Sequence, residues 1–189
     1  MKYLVLVTLV GFGAVLGGCD KNNNTKPNNE VVTQAETTPT RQTGKWRVVV
    51  NKDEMRNTES KWLALSSDNN ADLGFPYDGE NRLNIDILDS KTDEPRIFLT
   101  IDKGQYDCES YGCFTAVKFG NSPIQYLTFN KYETSGGTDT ILIFTENSNA
   151  FLENVRKFNS IIIELPFYRE GKRQFKFDTS KFNEAEKEI

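Results

Sequence analysis

From Trp46 onward, apolar residues recur at every second position. Trp46, Val48 and Val50 alternate with Arg47, Val49 and Asn51; Leu83, Ile85 and Ile87 alternate with Asn84, Asp86 and Leu88; Ile97, Leu99 and Ile101 alternate with Phe98, Thr100 and Asp102. Successive side chains of a strand point to opposite faces, so this period predicts strands with one buried face. Further strands are predicted over 61–66, 113–119, 125–130, 140–145, 160–167 and 173–178. Turn residues separate them: Tyr77-Asp78-Gly79, Asp93-Glu94-Pro95, Gly120 to Pro123, Ser135-Gly136-Gly137 and Glu170-Gly171. The expected fold is mainly β, an antiparallel sandwich or barrel of about seven to nine short strands with one or two short helices. One helix is expected over 150–158, where Phe151, Leu152, Val155 and Phe158 share a face and Ser148 or Asn149 is placed to cap it. A second, polar helix is expected over 180–188.

The pattern before Trp46 is different. Met1-Lys2 is followed by an uncharged apolar run from Tyr3 to Leu16, 14 residues long. A membrane-spanning helix needs about 20 residues, so the run fits the core of a signal peptide better than a permanent anchor. It ends at Leu16-Gly17-Gly18-Cys19, which resembles the lipobox of bacterial lipoproteins. The resemblance implies that residues 1–18 are removed and that Cys19 is lipidated. Two or three acyl chains, each buried methylene contributing about 0.8 kcal/mol, would hold the protein at a membrane without spanning it. In enteric bacteria Asp20 at the next position tends to retain such proteins at the inner membrane, facing the periplasm, although the outer membrane is the other destination open to them.

Residues 20–44 contain almost nothing that could be buried apart from Val31, Val32 and Ala35. Such composition cannot offset its ordering entropy, so 19–44 is expected to be the lipidated Cys followed by a disordered tether, with a β-rich globular domain over 45–189. The tether would reach about 25 to 30 Å from the membrane.

Acidic residues outnumber basic ones, 27 to 23, and this balance gives no footprint for nucleic acid. The chain has no histidine, which removes the usual partner of a Ser or Cys nucleophile and leaves only carboxylate or lysine chemistry. No catalytic residue is therefore assigned. The densest acidic cluster, Asp86, Asp89, Asp93 and Glu94, flanks a predicted turn and is expected to be solvated. With Cys19 taken by lipid, Cys108 and Cys113 are left to pair in an exported protein, stapling a turn between two strands. A metal site would need further soft or imidazole ligands, so none is expected, nor any cofactor. Tyr106 and Tyr111 on the stapled turn, with Tyr168 in Phe167-Tyr168-Arg169-Glu170-Gly171, form the candidate binding surface, since a rigid loop presents side chains at low entropic cost. Trp46 and Trp62 are expected to anchor the core.

The order Trp46, Asp53-Glu54-Met55-Arg56-Asn57-Thr58, Trp62-Leu63-Ala64-Leu65-Ser66, alternating strands and Phe175-Lys176-Phe177-Asp178 before a terminal helix resembles small exported β-rich proteins of the type VI secretion-associated VasI kind. That resemblance implies an accessory envelope protein without a catalytic site. The expected function is accordingly a lipid-anchored, non-enzymatic binding or accessory module with an envelope protein partner. The alternative is an anchored, carboxylate-dependent hydrolase of cell-wall or surface polymer, and two buried acids brought together in a cleft would favour it.

Overall fold

The computed structural model describes residues 39–134 and 139–189. Cys19, the apolar run before it, the tether up to residue 38 and the Ser135-Gly136-Gly137 turn lie outside these residues. Among those described, ten antiparallel strands form one sheet: β1 Pro39–Thr43, β2 Trp46–Asp53, β3 Thr58–Ser66, β4 Leu83–Leu88, β5 Arg96–Ile101, β6 Cys113–Phe119, β7 Gln125–Lys131, β8 Ile141–Phe144, β9 Ser160–Phe167 and β10 Gly171–Asp178. Their order across the sheet is β1-β2-β3-β4-β5-β8-β7-β6-β9-β10. Helix α1, Ser148–Lys157, joins β8 to β9, and a short helix α2, Phe182–Ala185, follows β10.

Nine of the strands lie where the alternation places them, and the fold is mainly β as expected. The tenth, β1, falls within the segment expected to be tether. It pairs with β2 from Pro39↔Val49 to Thr43↔Trp46, with one bulge near Thr40. The two-residue turn Gly44-Lys45 between them has Gly44 at φ +63°, the left-handed conformation that such hairpins require and glycine supplies. Gly44 is therefore the tip of a hairpin, and the ordered domain starts before it. β1 is an edge strand paired through its backbone to β2, and its sequence, PTRQT, shows no apolar alternation.

The sheet rolls around one core. Inward residues of the strands form this core, among them Trp46, Leu63, Ile85, Leu99, Phe119, Ile163 and Phe175, with Leu127 of β7 only partly buried. The roll is seamed where the chain leaves β3: the Asp68 amide donates to the Lys176 carbonyl (2.7 Å), and Asn69 bonds the backbone of β10 on both sides, to Gln174 O and from Lys176 N. Helix α1 buries Phe151, Leu152 and Val155 against this core, with Phe151 edge-on to Phe119. Its cap is Asn147, whose side chain accepts from the Ala150 amide at 3.0 Å, one residue before the expected Ser148. Phe158 lies at the C-terminal cap of α1 and is only partly buried. Helix α2 is shorter than expected and less polar in its contacts, for Phe182 and Ala185 are buried and Phe182 packs edge-on against Trp46.

Candidate functional site

Two regions of the outer surface gather chemistry. The first is the segment between β5 and β6. The sulfurs of Cys108 and Cys113 stand at disulfide distance, 2.26 Å, with Cα atoms 4.5 Å apart. Between them Glu109 and Gly112 form a tight turn, the Gly112 amide donating to the Glu109 carbonyl at 3.1 Å. Gly112 has φ +137°, and a Cβ there would come within 2.7 Å of the Thr128 methyl. The turn can lie this close to β7 only because that position has no side chain.

Tyr111, at the tip of this turn, is 68% exposed, and its ring lies 5.8 Å from Phe114 on β6. Phe114 sits opposite Thr128, and Tyr126 on β7 sits opposite Ala116, so both project from the outer face and are diagonal neighbours. Phe114 is 54% exposed and Tyr126 is 73% exposed. The result is an aromatic surface of Tyr111, Phe114 and Tyr126 beside a hollow of about 430 Å³ between the turn and the end of β7.

This surface differs from the expected one in a specific way. Tyr106 is not exposed: it is 1% accessible, bridged to Phe167 through the backbone, and its ring packs 5.2 Å from that of Phe167. Backbone pairing of residues 105–107 with the end of β9 turns its side chain into the core. Burial pushes its phenol well above the usual range. The nearby Ile101 amide is already donated to the Thr140 carbonyl, and the Tyr106 hydroxyl has no hydrogen-bond partner. Tyr168 is half exposed at the β9–β10 turn, beneath the Arg169 guanidinium, and its amide donates to the Gln105 carbonyl at the foot of the stapled segment. Sequence reading missed Phe114 and Tyr126. The signal for Phe114 was present, since Cys113, Thr115 and Val117 face inward and alternation then turns Phe114 outward.

The second region is a groove of about 440 Å³ on the outer face of β2 to β5. Its floor is Ala64 on β3, which lies between Arg47 on β2 and Asp86 on β4 in one cross-strand row. Trp62 and Val49 form one wall. Trp62 is thus not a core anchor. Leu63 and Leu65 take the inward positions of β3, and the period of two sends Trp62 to the other face. Its indole N–H donates to Asp86 Oδ1 at 3.0 Å. On the opposite side the Arg47 guanidinium donates to Ser66 Oγ, Ser66 to Asn84 Oδ1 at 2.6 Å, and Asn84 to Asp102 Oδ1 at 3.1 Å. Burial pushes the Asp86 carboxyl above its usual range, against the opposing pull of the Trp62 hydrogen bond and the Arg47 charge.

The acids of the sequence cluster do not converge. Asp86 enters the groove, Asp89 pairs with Arg96 at 2.7 Å, and the Asp93 carbonyl accepts from Asn149 near the start of α1. No three His, Cys, Asp or Glu side chains gather as metal ligands among the described residues. The second carboxylate of the groove, Asp102, is bonded by the Arg82 amide at 2.8 Å. Asp86 lies opposite Phe98, and Asp102 follows Ile101, which lies opposite Leu83. The backbone positions of the two acids therefore lie four residues apart along the strands, about 13 Å at the usual rise, and their carboxyls are held by different partners, Asp86 by Trp62 and Asp102 by the Arg82 amide and Asn84. Against family models, curated proteins and solved structures alike, the chain finds no match.

Proposed function

We propose that this protein is a lipid-anchored, non-enzymatic module of the bacterial cell envelope that binds a partner protein through the surface of Tyr111, Phe114 and Tyr126. The observation that carries the reading is that three large aromatic side chains are exposed side by side on paired strands and a cysteine-closed turn. Exposed aromatics on a rigid base are the usual anchors of protein interfaces, because they bury much area while losing little freedom. The separation of Asp86 and Asp102 weighs against the hydrolase alternative. The Leu16 to Cys19 segment supplies the anchor, and Asp20 favours the periplasmic face of the inner membrane. An accessory role agrees with the resemblance to exported proteins of the VasI kind.

Replacing Tyr126 by a photo-crosslinking amino acid in the lipidated protein, in its own envelope, tests the binding surface. One discrete adduct is expected, lost when Phe114→Ser is added. The absence of an adduct, or the same adduct from a crosslinker at Met55 on the β2–β3 turn, would overturn the assignment. Fatty-acid labelling tests the anchor separately: Cys19→Ala should carry no label.

A further inference from the structure

We propose that the groove on β2 to β5 binds a short uncharged saccharide, a site separate from the aromatic surface on β6 and β7. The outer face of a rolled sheet is ordinarily convex, and here Ala64, whose side chain is a single methyl, leaves a gap between Arg47 and Asp86 in its own row and the large Trp62 next to it along β3. The volume, about 440 Å³, lies within the range of small-molecule sites, roughly 300 to 1,000 Å³.

The lining then selects the ligand. Trp62 and Val49 give an apolar wall, and the hydrogen bond from the indole to Asp86 holds the ring in place before any ligand arrives. A pyranose has one face of C–H groups suited to such a wall and a rim of hydroxyls that both donate and accept. Around the wall stand Asp86 as acceptor, the Arg47 guanidinium as donor and Asn84 as both. The Trp62 indole is the hydrogen-bond donor to Asp86, and an ionised carboxylate has lone pairs left for ligand hydroxyls.

Charge excludes the ionic alternatives. Arg47 and Arg82 balance Asp86 and Asp102, and these groups are already engaged: Asp102 by the Arg82 amide and Asn84, Arg82 by Glu80 and the Ser67 carbonyl, Arg47 by Ser66. An anion would meet Asp86 and Asp102 beside the arginines, and a cation would meet Arg47 and Arg82 beside the acids, whereas neutral hydroxyls fit between the existing partners. The burial of Asp86, which works against its charge, is the kind of local cost that binding sites retain.

Indole N–H resonances report the test, because Trp46 is fully buried in the core and Trp62 borders the groove. The full-length protein, in a detergent without sugar headgroups, is titrated with maltose, cellobiose and N,N′-diacetylchitobiose. At least one should shift the Trp62 resonance saturably with millimolar Kd while Trp46 stays still. Asp86→Asn should weaken that binding by about tenfold, the effect of losing a charge-assisted hydrogen bond. Ala64→Leu should abolish it by filling the floor, and Met55→Ser should leave it unchanged. The proposal is overturned if none of the three saccharides gives a saturable shift at tens of millimolar, or if glycine betaine or phosphate saturates the site instead. Unweakened binding by folded Asp86→Asn overturns it as well, and decides the matter if Ala64→Leu does not fold. Crosslinking at Tyr126 has no bearing on this outcome, so the two readings fail independently.

Discussion

Asp86 faces outward from β4 yet stands in surroundings that disfavour its charge, with Trp62 and Arg47 only partly compensating. Its carboxyl is raised in the folded chain, so the fold binds that proton more tightly than the unfolded chain does. The sign follows by linkage: the ionised form weakens the fold at neutral pH, and the penalty fades as pH falls through the raised range toward that of an ordinary aspartate. Asp86→Asn keeps an oxygen for the Trp62 indole and removes the charge. It should be more stable than the parent at neutral pH, with the difference shrinking on acidification, as measured by denaturant unfolding across a pH series. A constant difference, or a less stable variant, would contradict this account. Tyr106 makes a second case, because its buried hydroxyl has no partner. A buried unsatisfied group costs about 1 to 3 kcal/mol, so Tyr106→Phe should raise stability by about 1 kcal/mol in the same measurement.

At the scale of elements, the period of two carried most of the information. It placed β4, β6 and β9 at the bounds the fold adopts, because in each of these strands one face is committed to the core. It failed where no face is committed. β1 is made of Pro39, Thr40, Arg41, Gln42 and Thr43, polar residues whose ordering comes from backbone bonds to β2 and so leaves no trace in hydropathy. The candidate surfaces were legible in part for a related reason. Tyr111 could be read from the cysteine spacing, whereas the groove depends on the register that sets Arg47, Ala64 and Asp86 in one row, and register across strands distant in sequence is not written in any one of them. The hairpin makes a direct prediction. A chain starting at Lys45 should be about 1 to 3 kcal/mol less stable than one starting at Glu36, from the lost β1–β2 hydrogen bonds. It should also self-associate more, since β2 becomes a bare edge; sedimentation and thermal unfolding would show both effects.

Across the whole molecule a single core joins every strand from β2 to β10, and helices α1 and α2 pack into the same cluster. Unfolding should therefore be one cooperative transition, with a circular dichroism spectrum dominated by sheet. The link between Cys108 and Cys113 closes only a short loop, and opening it should cost about 2 kcal/mol without ending folding. Peptide mapping without reductant checks the pairing, and a reduced protein that no longer folds would refute the estimate. The β1–β2 hairpin has a mechanical consequence if the chain is held at Cys19. Tension from the anchor would enter the domain at Pro39, the open end of that hairpin, and its backbone bonds would then be loaded one after another, as in an opening zipper, instead of all together. β1 would yield first and at low force, adding about 17 Å of reach at the usual strand rise, while the seam between Asp68 and β10 kept the rolled core shut. Under such a load the edge strand would lengthen the link first, and the rolled core would stay closed behind it.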